Sequence, residues 1–373
     1  MRLLRALRVP KNLTVLLLAS LLLAGCGQAQ TAVPPAPTLT PQALFPFPTA
    51  APGGGLPGSS RANPLPPTAT VTLPRWRVRL QPAQVFRGDA AWQRLQAANQ
   101  FNEPPGDDWE YVLLRLAVEY LAVDTNAASI SIHLTGDANV LHYSFDTDVV
   151  PPEPWLQTHL EAGAVSDGWE AFRVRRDEGN LMLAIADSSG RAEPPVYLAL
   201  AAETAVTIPV DVLTAIAPTD VGTRAAEPAA PGQTVTTADW QVTLLDVMRG
   251  DAAWEWLLAT NRYNDPPPEG WEYVLAQVRL AHVGTDEGPH TISAGGYFAA
   301  LGADGTVYER PSLVVPEPGL YFALYPGGEA TGWLALQVPA AETAPRLRFQ
   351  AQPYTAQPEA AGTRYWLLVA SGR

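Results

Sequence analysis

The chain has 373 residues, with 37 Asp+Glu against 24 Lys+Arg, one cysteine and 37 prolines. Four of the basic residues fall in the first 11, so residues 26–373 carry 20 basic and 37 acidic groups, a net charge of −17. That balance excludes nucleic acid as a partner, because phosphate neutralisation needs a basic face, and a single cysteine excludes a disulfide framework.

Residues 1–25 read as a lipoprotein signal peptide. Arg2, Arg5, Arg8 and Lys11 form a positive leader, and Leu13–Leu23 is an apolar stretch too short to cross a bilayer comfortably. It ends in Leu23-Ala24-Gly25-Cys26, which resembles the lipobox of bacterial lipoproteins. The resemblance implies cleavage before Cys26 and acylation of its thiol and new amino terminus. Lipid at Cys26 then makes the cell membrane a partner and places the chain outside the cytoplasm. Residues 26–73 follow as a disordered tether. Between 27 and 74 there are 12 prolines, five glycines and no acidic residue, a composition that buries too little apolar surface to fold.

The remainder is a duplication. Residues 87–113, RGDAAWQRLQAANQFNEPPGDDWEYVL, return 162 positions later as RGDAAWEWLLATNRYNDPPPEGWEYVL, with 17 of 27 positions identical. Two repeats, 74–212 and 234–373, are therefore expected, joined by a linker at 213–233. Within each, apolar residues alternate with period two. Val112, Leu114, Leu116 and Val118 oppose Arg115 and Glu119, while Val274, Ala276, Val278 and Leu280 oppose Gln277 and Arg279. Further strands are expected over Trp76–Val85, Ser129–Leu134, Trp169–Arg175, Leu181–Ala186 and Val196–Ala201. The second repeat matches with Trp240–Met248, His290–Leu301, Gly332–Val338, Leu347–Gln350 and Tyr365–Ala370. The fold class is all-β: two tandem immunoglobulin-like β-sandwich domains, each with a short helical insertion after the first strand.

In that insertion Asp89 stands as a helix N-cap, with Trp92, Leu95 and Ala98 on one face. Asn99 and Asn102 then lead to Pro104-Pro105, where a helix stops. Asp251, Trp254, Leu257, Asn261, Asn264 and Pro266-Pro267 repeat the arrangement. The helix is expected to close one open end of the sandwich with its tryptophan. This order of strand, G-D-x-A-W helix, N-x-[FY]-N-x-P-P turn and W-E-Y-V-L strand resembles an uncharacterised immunoglobulin-like domain family of bacterial surface lipoproteins, here as a tandem pair. The resemblance implies a fold, an extracytoplasmic location and a binding role, with no catalytic residue to carry over.

Candidate chemistry is sparse. Arg87-Gly88-Asp89 and Arg249-Gly250-Asp251 spell an integrin-binding tripeptide, but a strand end, a turn and a helix start account for them. Glu103, Asp107, Asp108 and Glu110, with Asp265, Glu269 and Glu272, lack calcium-loop spacing. His133, His142, His282 and His290 form no metal-ligand pattern. No nucleophile motif is present, so no catalytic residue, metal or cofactor is expected and the chain reads as no enzyme. Aromatic residues are the one enrichment. Trp76, Trp92, Trp109 and Trp169 have counterparts in Trp240, Trp254, Trp271 and Trp333, which marks them as core. Trp155, Trp256 and Trp366 have none, and are the candidate ligand contacts. The expected function is a non-enzymatic binding or scaffold module for a protein or cell-envelope partner. The alternative is a carbohydrate-binding module using exposed aromatics.

Overall fold

The computed structural model describes residues 55–123, 126–188, 194–353 and 362–369; the signal segment, Cys26 and the tether before residue 55 lie outside them. In the first repeat the order is β1 (Thr70–Thr72), β2 (Trp76–Arg87), α1 (Asp89–Ala98), β3 (Trp109–Tyr120), β4 (Ala128–Thr135), β5 (Val140–His142), a 3-10 turn at Ser144–Asp146, β6 (His159–Leu160), β7 (Val165–Arg175), β8 (Met182–Asp187) and β9 (Val196–Ala199). The second runs β10 (Thr234–Thr236), β11 (Trp240–Arg249), α2 (Asp251–Thr260), β12 (Trp271–His282), β13 (His290–Ser293), α3 (Ala294–Tyr297), β14 (Phe298–Leu301), β15 (Tyr321–Leu324), β16 (Glu329–Pro339), β17 (Arg346–Gln350) and β18 (Thr363–Leu367). The architecture is all-β and sandwich-like, with a helix after β2 and after β11.

The alternation in β3 decides both faces of its sheet. One face, carrying Val112, Leu114, Leu116 and Val118, packs against Ile130, Ile132 and Leu183 of the facing sheet. The other is not fully polar: Tyr111 and Leu113 need cover, and Ala91 and Leu95 of α1 supply it. The helix therefore lies on the outer face of the sheet rather than over an open end. Trp92 is only half-buried there, 6.1 Å from Tyr111. Ala253 and Leu257 of α2 cover Tyr273 and Leu275 in the same way. The N-cap also differs from expectation. Gly88 and Gly250 take that position at φ 60, where a side chain would be strained, and no side chain caps either helix. Asp89 and Asp251 sit in the first turn, where the helix dipole favours a negative charge.

The front sheets, β1-β2-β3-β7 and β10-β11-β12-β16, are equivalent and antiparallel. Gly168 and Gly332 lie where a neighbouring segment crosses. A Cβ on Gly168 would meet the Leu156 nitrogen at 2.4 Å, and one on Gly332 would meet the Phe322 ring at 2.9 Å. The back sheets differ. The continuous strand β4 of the first repeat is replaced by β13, the one-turn α3 and β14, because Gly295-Gly296 interrupts what the sequence reads as one strand over His290–Leu301.

The repeats extend further upstream than the shared phrase. Residues 55–73, expected in the tether, pack on the first repeat. Leu65 adds in parallel to β9, donating to the Tyr197 carbonyl at 2.8 Å and accepting from Ala199 at 2.9 Å. Ala229, in the expected linker, does the same to β18 through Tyr365 at 2.8 Å and Leu367 at 3.0 Å. Each repeat thus begins with an extended arm that completes its last strand.

The described residues belong to one compact unit. β15 of the second repeat pairs antiparallel with β5 of the first, Ala323 opposite Leu141 and Leu324 opposite Val140, joining β13-β15-β5-β4-β8-β9 into one sheet. A separate apolar cluster fills the seam: Leu141, Met182, Ala184, Tyr197 and Val206 meet Ala323 and Tyr325. Arg61, from the N-terminal arm, is buried over it. Its Nη2 donates to the Gly136 carbonyl at 2.6 Å and to Asn139 Oδ1 at 2.7 Å, and its guanidinium lies 4.1 Å from the centre of the Tyr325 ring.

Candidate binding cleft between the repeats

Beside the seam the two repeats leave a cleft of about 920 Å³, walled by the end of β5, the 3-10 turn and β7 on one side and by β15, β16 and the 310–320 segment on the other. Of the residues lining it, only Trp109 belongs to either copy of the 27-residue phrase. The phrase nevertheless builds the walls. Buried Asn102 Nδ2 donates to the Leu95 carbonyl at 2.8 Å, closing α1, and to the Val150 carbonyl at 2.9 Å, while its Oδ1 accepts from Val150 at 2.8 Å. Asn264 makes the same three bonds to Leu257 and Val314, each at 2.9 Å. Each asparagine thereby pins the loop next to the cleft residues of its own repeat.

An aromatic corner forms where the walls meet. Tyr143 stacks on Phe145 at 4.9 Å and 23°, and Tyr321 of the other repeat stands 5.6 Å from Tyr143 and 6.3 Å from Phe145. Phe145 is 65% exposed and Tyr321 44%, so both retain ring surface for a ligand. Elsewhere on the lining, the Arg173 and Arg175 guanidiniums lie 5.3 and 5.7 Å from the Trp109 ring centre.

The charged groups fall into committed and uncommitted sets. Arg173 bonds Glu317 across the cleft at 3.2 Å, and His142 bonds the buried Glu178 at 2.8 Å. Asp146 is solvent-exposed by area, yet the surrounding walls strip enough water from its carboxyl to push it up to about 6. Glu317 and Asp148 add to that rise, while Arg173 and His142 oppose it. Burial likewise raises the Tyr143 hydroxyl to about 12, so it stays protonated. Arg279 and Arg310 are exposed, and their side chains form no ion pair or hydrogen bond among the described residues. The arrangement offers ring surface, hydrogen-bond donors and both charges to one ligand.

The tryptophans singled out in the sequence are not brought together. Trp366 is fully buried, with its indole nitrogen donating to the Gln233 carbonyl at 3.2 Å, and is withdrawn as a ligand contact. It occupies the position of Leu198 in the other repeat, beneath the N-terminal arm. Trp155 is 49% exposed but its indole is tied to the Pro151 carbonyl at 3.0 Å, outside the cleft lining. Trp256 packs edge-on against Trp333 at 4.7 Å, and so borders the cleft behind a lining residue. Cys26 lies outside the described residues. Glu110 and Glu272, from the acidic clusters, pair with Arg87 and Arg249 across strands. Among the described residues no three His, Cys, Asp or Glu side chains gather to hold a metal ion, and no helix is long and apolar enough to cross a membrane.

Sequence reasoning did not select Tyr143, Phe145, Tyr321, Arg279 or Arg310 as site residues. The signal available was negative: each lies outside the duplicated phrase. Tyr321 aligns with Gln157 and Arg279 with Ala117 at the offsets of their flanking strands. The scaffold needs neither.

No protein-family model matches the chain, and no curated protein matches it. Among solved structures, a Bacillus subtilis protein named a "putative lipoprotein" (ycdA) is similar with a TM-score of 0.29 and 12% identity, over 37% of this chain and 38% of that one. The yjhA protein of Bacillus subtilis is similar with a TM-score of 0.26 and 10% identity, over 38% of this chain and 98% of that one. These likenesses are remote and assign no activity.

Proposed function

We propose that this chain is an extracytoplasmic lipoprotein, anchored to the bacterial cell membrane through acylated Cys26. Its paired immunoglobulin-like repeats form a non-enzymatic module that binds a cell-envelope component in the inter-repeat cleft. The observation that carries the reading is the exposure of Phe145 and Tyr321, one from each repeat, on one aromatic corner of a cleft of about 920 Å³. Apolar ring surface beside a few polar groups in a concave site is how small ligands are usually held. The lipobox-like Leu23-Ala24-Gly25-Cys26 supports the anchor.

The test has two parts. Membrane partition of the full-length protein is expected to vanish in Cys26→Ser, with acyl mass on the N-terminal peptide of the parent. Retention on fractionated envelope material is expected for the parent and lost in Tyr321→Ala and Phe145→Ala. Retention unchanged in both variants would remove the cleft from the account. A saccharide ligand, the second reading, is favoured specifically by the exposed rings.

A further inference from the structure

We propose that the cleft binds a saccharide bearing an acid group, with a sugar ring stacked on Tyr321 and Phe145 and the acid held by Arg279 and Arg310. The inference rests on reading the cleft as the binding site, and it names the ligand class. Three observations carry it. First, the other cleft arginines are occupied: Arg173 by Glu317 at 3.2 Å, Arg175 by Asp177 at 3.4 Å, and both by Trp109. Arg279 and Arg310 alone among the cleft arginines have no partner within the described residues. Second, Arg279 meets no need that the two repeats share. Arg279 stands on β12 opposite Thr331, where the first repeat has Ala117 opposite Asp167. Third, the chain from residue 26 on carries a net charge of −17 and the cleft is also lined by Asp146, Asp148 and Glu329, so an acid group has only the two unpaired guanidiniums to sit against. A guanidinium fork matches a carboxylate or phosphate, and the ring surface in the same cleft suits the apolar face of a pyranose. Ser293 and Thr331, which also line the cleft, supply hydroxyls for the sugar.

Isothermal titration of the Cys26→Ser protein tests this with three probes: a glucuronate-containing oligosaccharide, a phosphate-bearing one, and the neutral glucose oligosaccharide of equal length. One acidic probe is expected to bind at least about tenfold more tightly than the neutral one, as the gain of one charge-assisted contact implies. Which of the two wins distinguishes carboxylate from phosphate. In the double variant Arg279→Gln with Arg310→Gln the preference is expected to vanish while weak neutral binding persists. Tyr321→Ala should lose binding of all probes. Both arginines are exposed, so an unchanged thermal melt verifies the fold of the double variant. Equal affinity for acidic and neutral probes, or a preference that survives the double variant, overturns the proposal. If no saccharide binds but envelope retention still depends on Tyr321 and Phe145, the ligand class is wrong and the cleft reading survives. If that dependence is also absent, both fail.

Discussion

The two repeats share a scaffold and differ where they meet other things. The phrase itself builds the same helix and turn in both, down to the three bonds made by Asn102 and Asn264. The face that docks a neighbour does not. In the first repeat Met182 and Ala184 are buried in the seam beside Leu141. At the equivalent rungs of the second, Arg346 and Arg348 oppose Leu367 and Tyr365 as Met182 and Ala184 oppose Ala199 and Tyr197. Arg346 Nη1 also donates to the carbonyls of Gly302 and Ala303, both at 3.1 Å, covering the free edge beyond β14. Val307, which stands where Leu141 does, is left 51% exposed. A head-to-tail interface has no reason of its own to stop at two copies. Here the first repeat accepts a neighbour and the second is armed against one, as terminal repeats of arrays and sheet edges are.

Giving the first repeat the second's residue should separate the two. Met182→Arg places a guanidinium in an apolar seam and is expected to cost about 3 kcal/mol or more. Calorimetry should then resolve two transitions where the parent gives one, with new proteolytic cleavage between the repeats. A second comparison concerns the helices. Leu95→Ala and Leu257→Ala should each cost about 2–5 kcal/mol by opening a cavity, and by equal amounts within about 1 kcal/mol. A clear inequality in urea melts would show that the helices are not equivalent.

A third difference gives a pH signature. Tyr120 stacks on Trp76 at 4.5 Å in the first repeat; in the second the partner of Trp240 is His282, fully buried and stacked on His290 at 4.4 Å. Burial, with the neighbouring His290 second, lowers His282 to about 4 from 6.5. A histidine depressed in the fold leaves stability intact above pH 6.5 and removes it as pH falls toward 4, by up to about 3 kcal/mol. His282→Phe should flatten that loss. Asp146 has the opposite sign, since a carboxyl raised from 3.8 to about 6 stabilises the fold progressively as pH falls through that window. Asp146→Asn should therefore make acid destabilisation steeper, by an amount moderated by its exposure to solvent. The smallest effect on monomer stability, within about 1 kcal/mol, is expected for Arg346→Met with Arg348→Ala. Its readout is assembly: sedimentation should show concentration-dependent self-association that the parent lacks.

The sequence made the front sheets legible because β3 and β12 alternate cleanly and the phrase repeats without gaps. It misled on the back sheet of the second repeat, where Gly295-Gly296 breaks a strand that the apolar pattern spans. The arms were hidden by their composition. Residues 55–73 and the 213–233 segment look like linkers, yet Gly58, Ala62, Pro64, Pro67 and Thr70-Val71-Thr72 recur 164 positions on. The cleft was not legible, since it is assembled from residues that the repeats do not share and from a β5–β15 pairing with no local signal.

Amide hydrogen exchange reads whether the ligand sits in the cleft between the repeats. Exchange in the Cys26→Ser protein would be compared with and without the envelope fraction it retains. Protection is predicted on both walls, across residues 140–148 of the first repeat and 310–322 of the second, with the helix α2 region unchanged. Protection confined to one repeat, or centred on the outer face of α2, would contradict binding in the cleft.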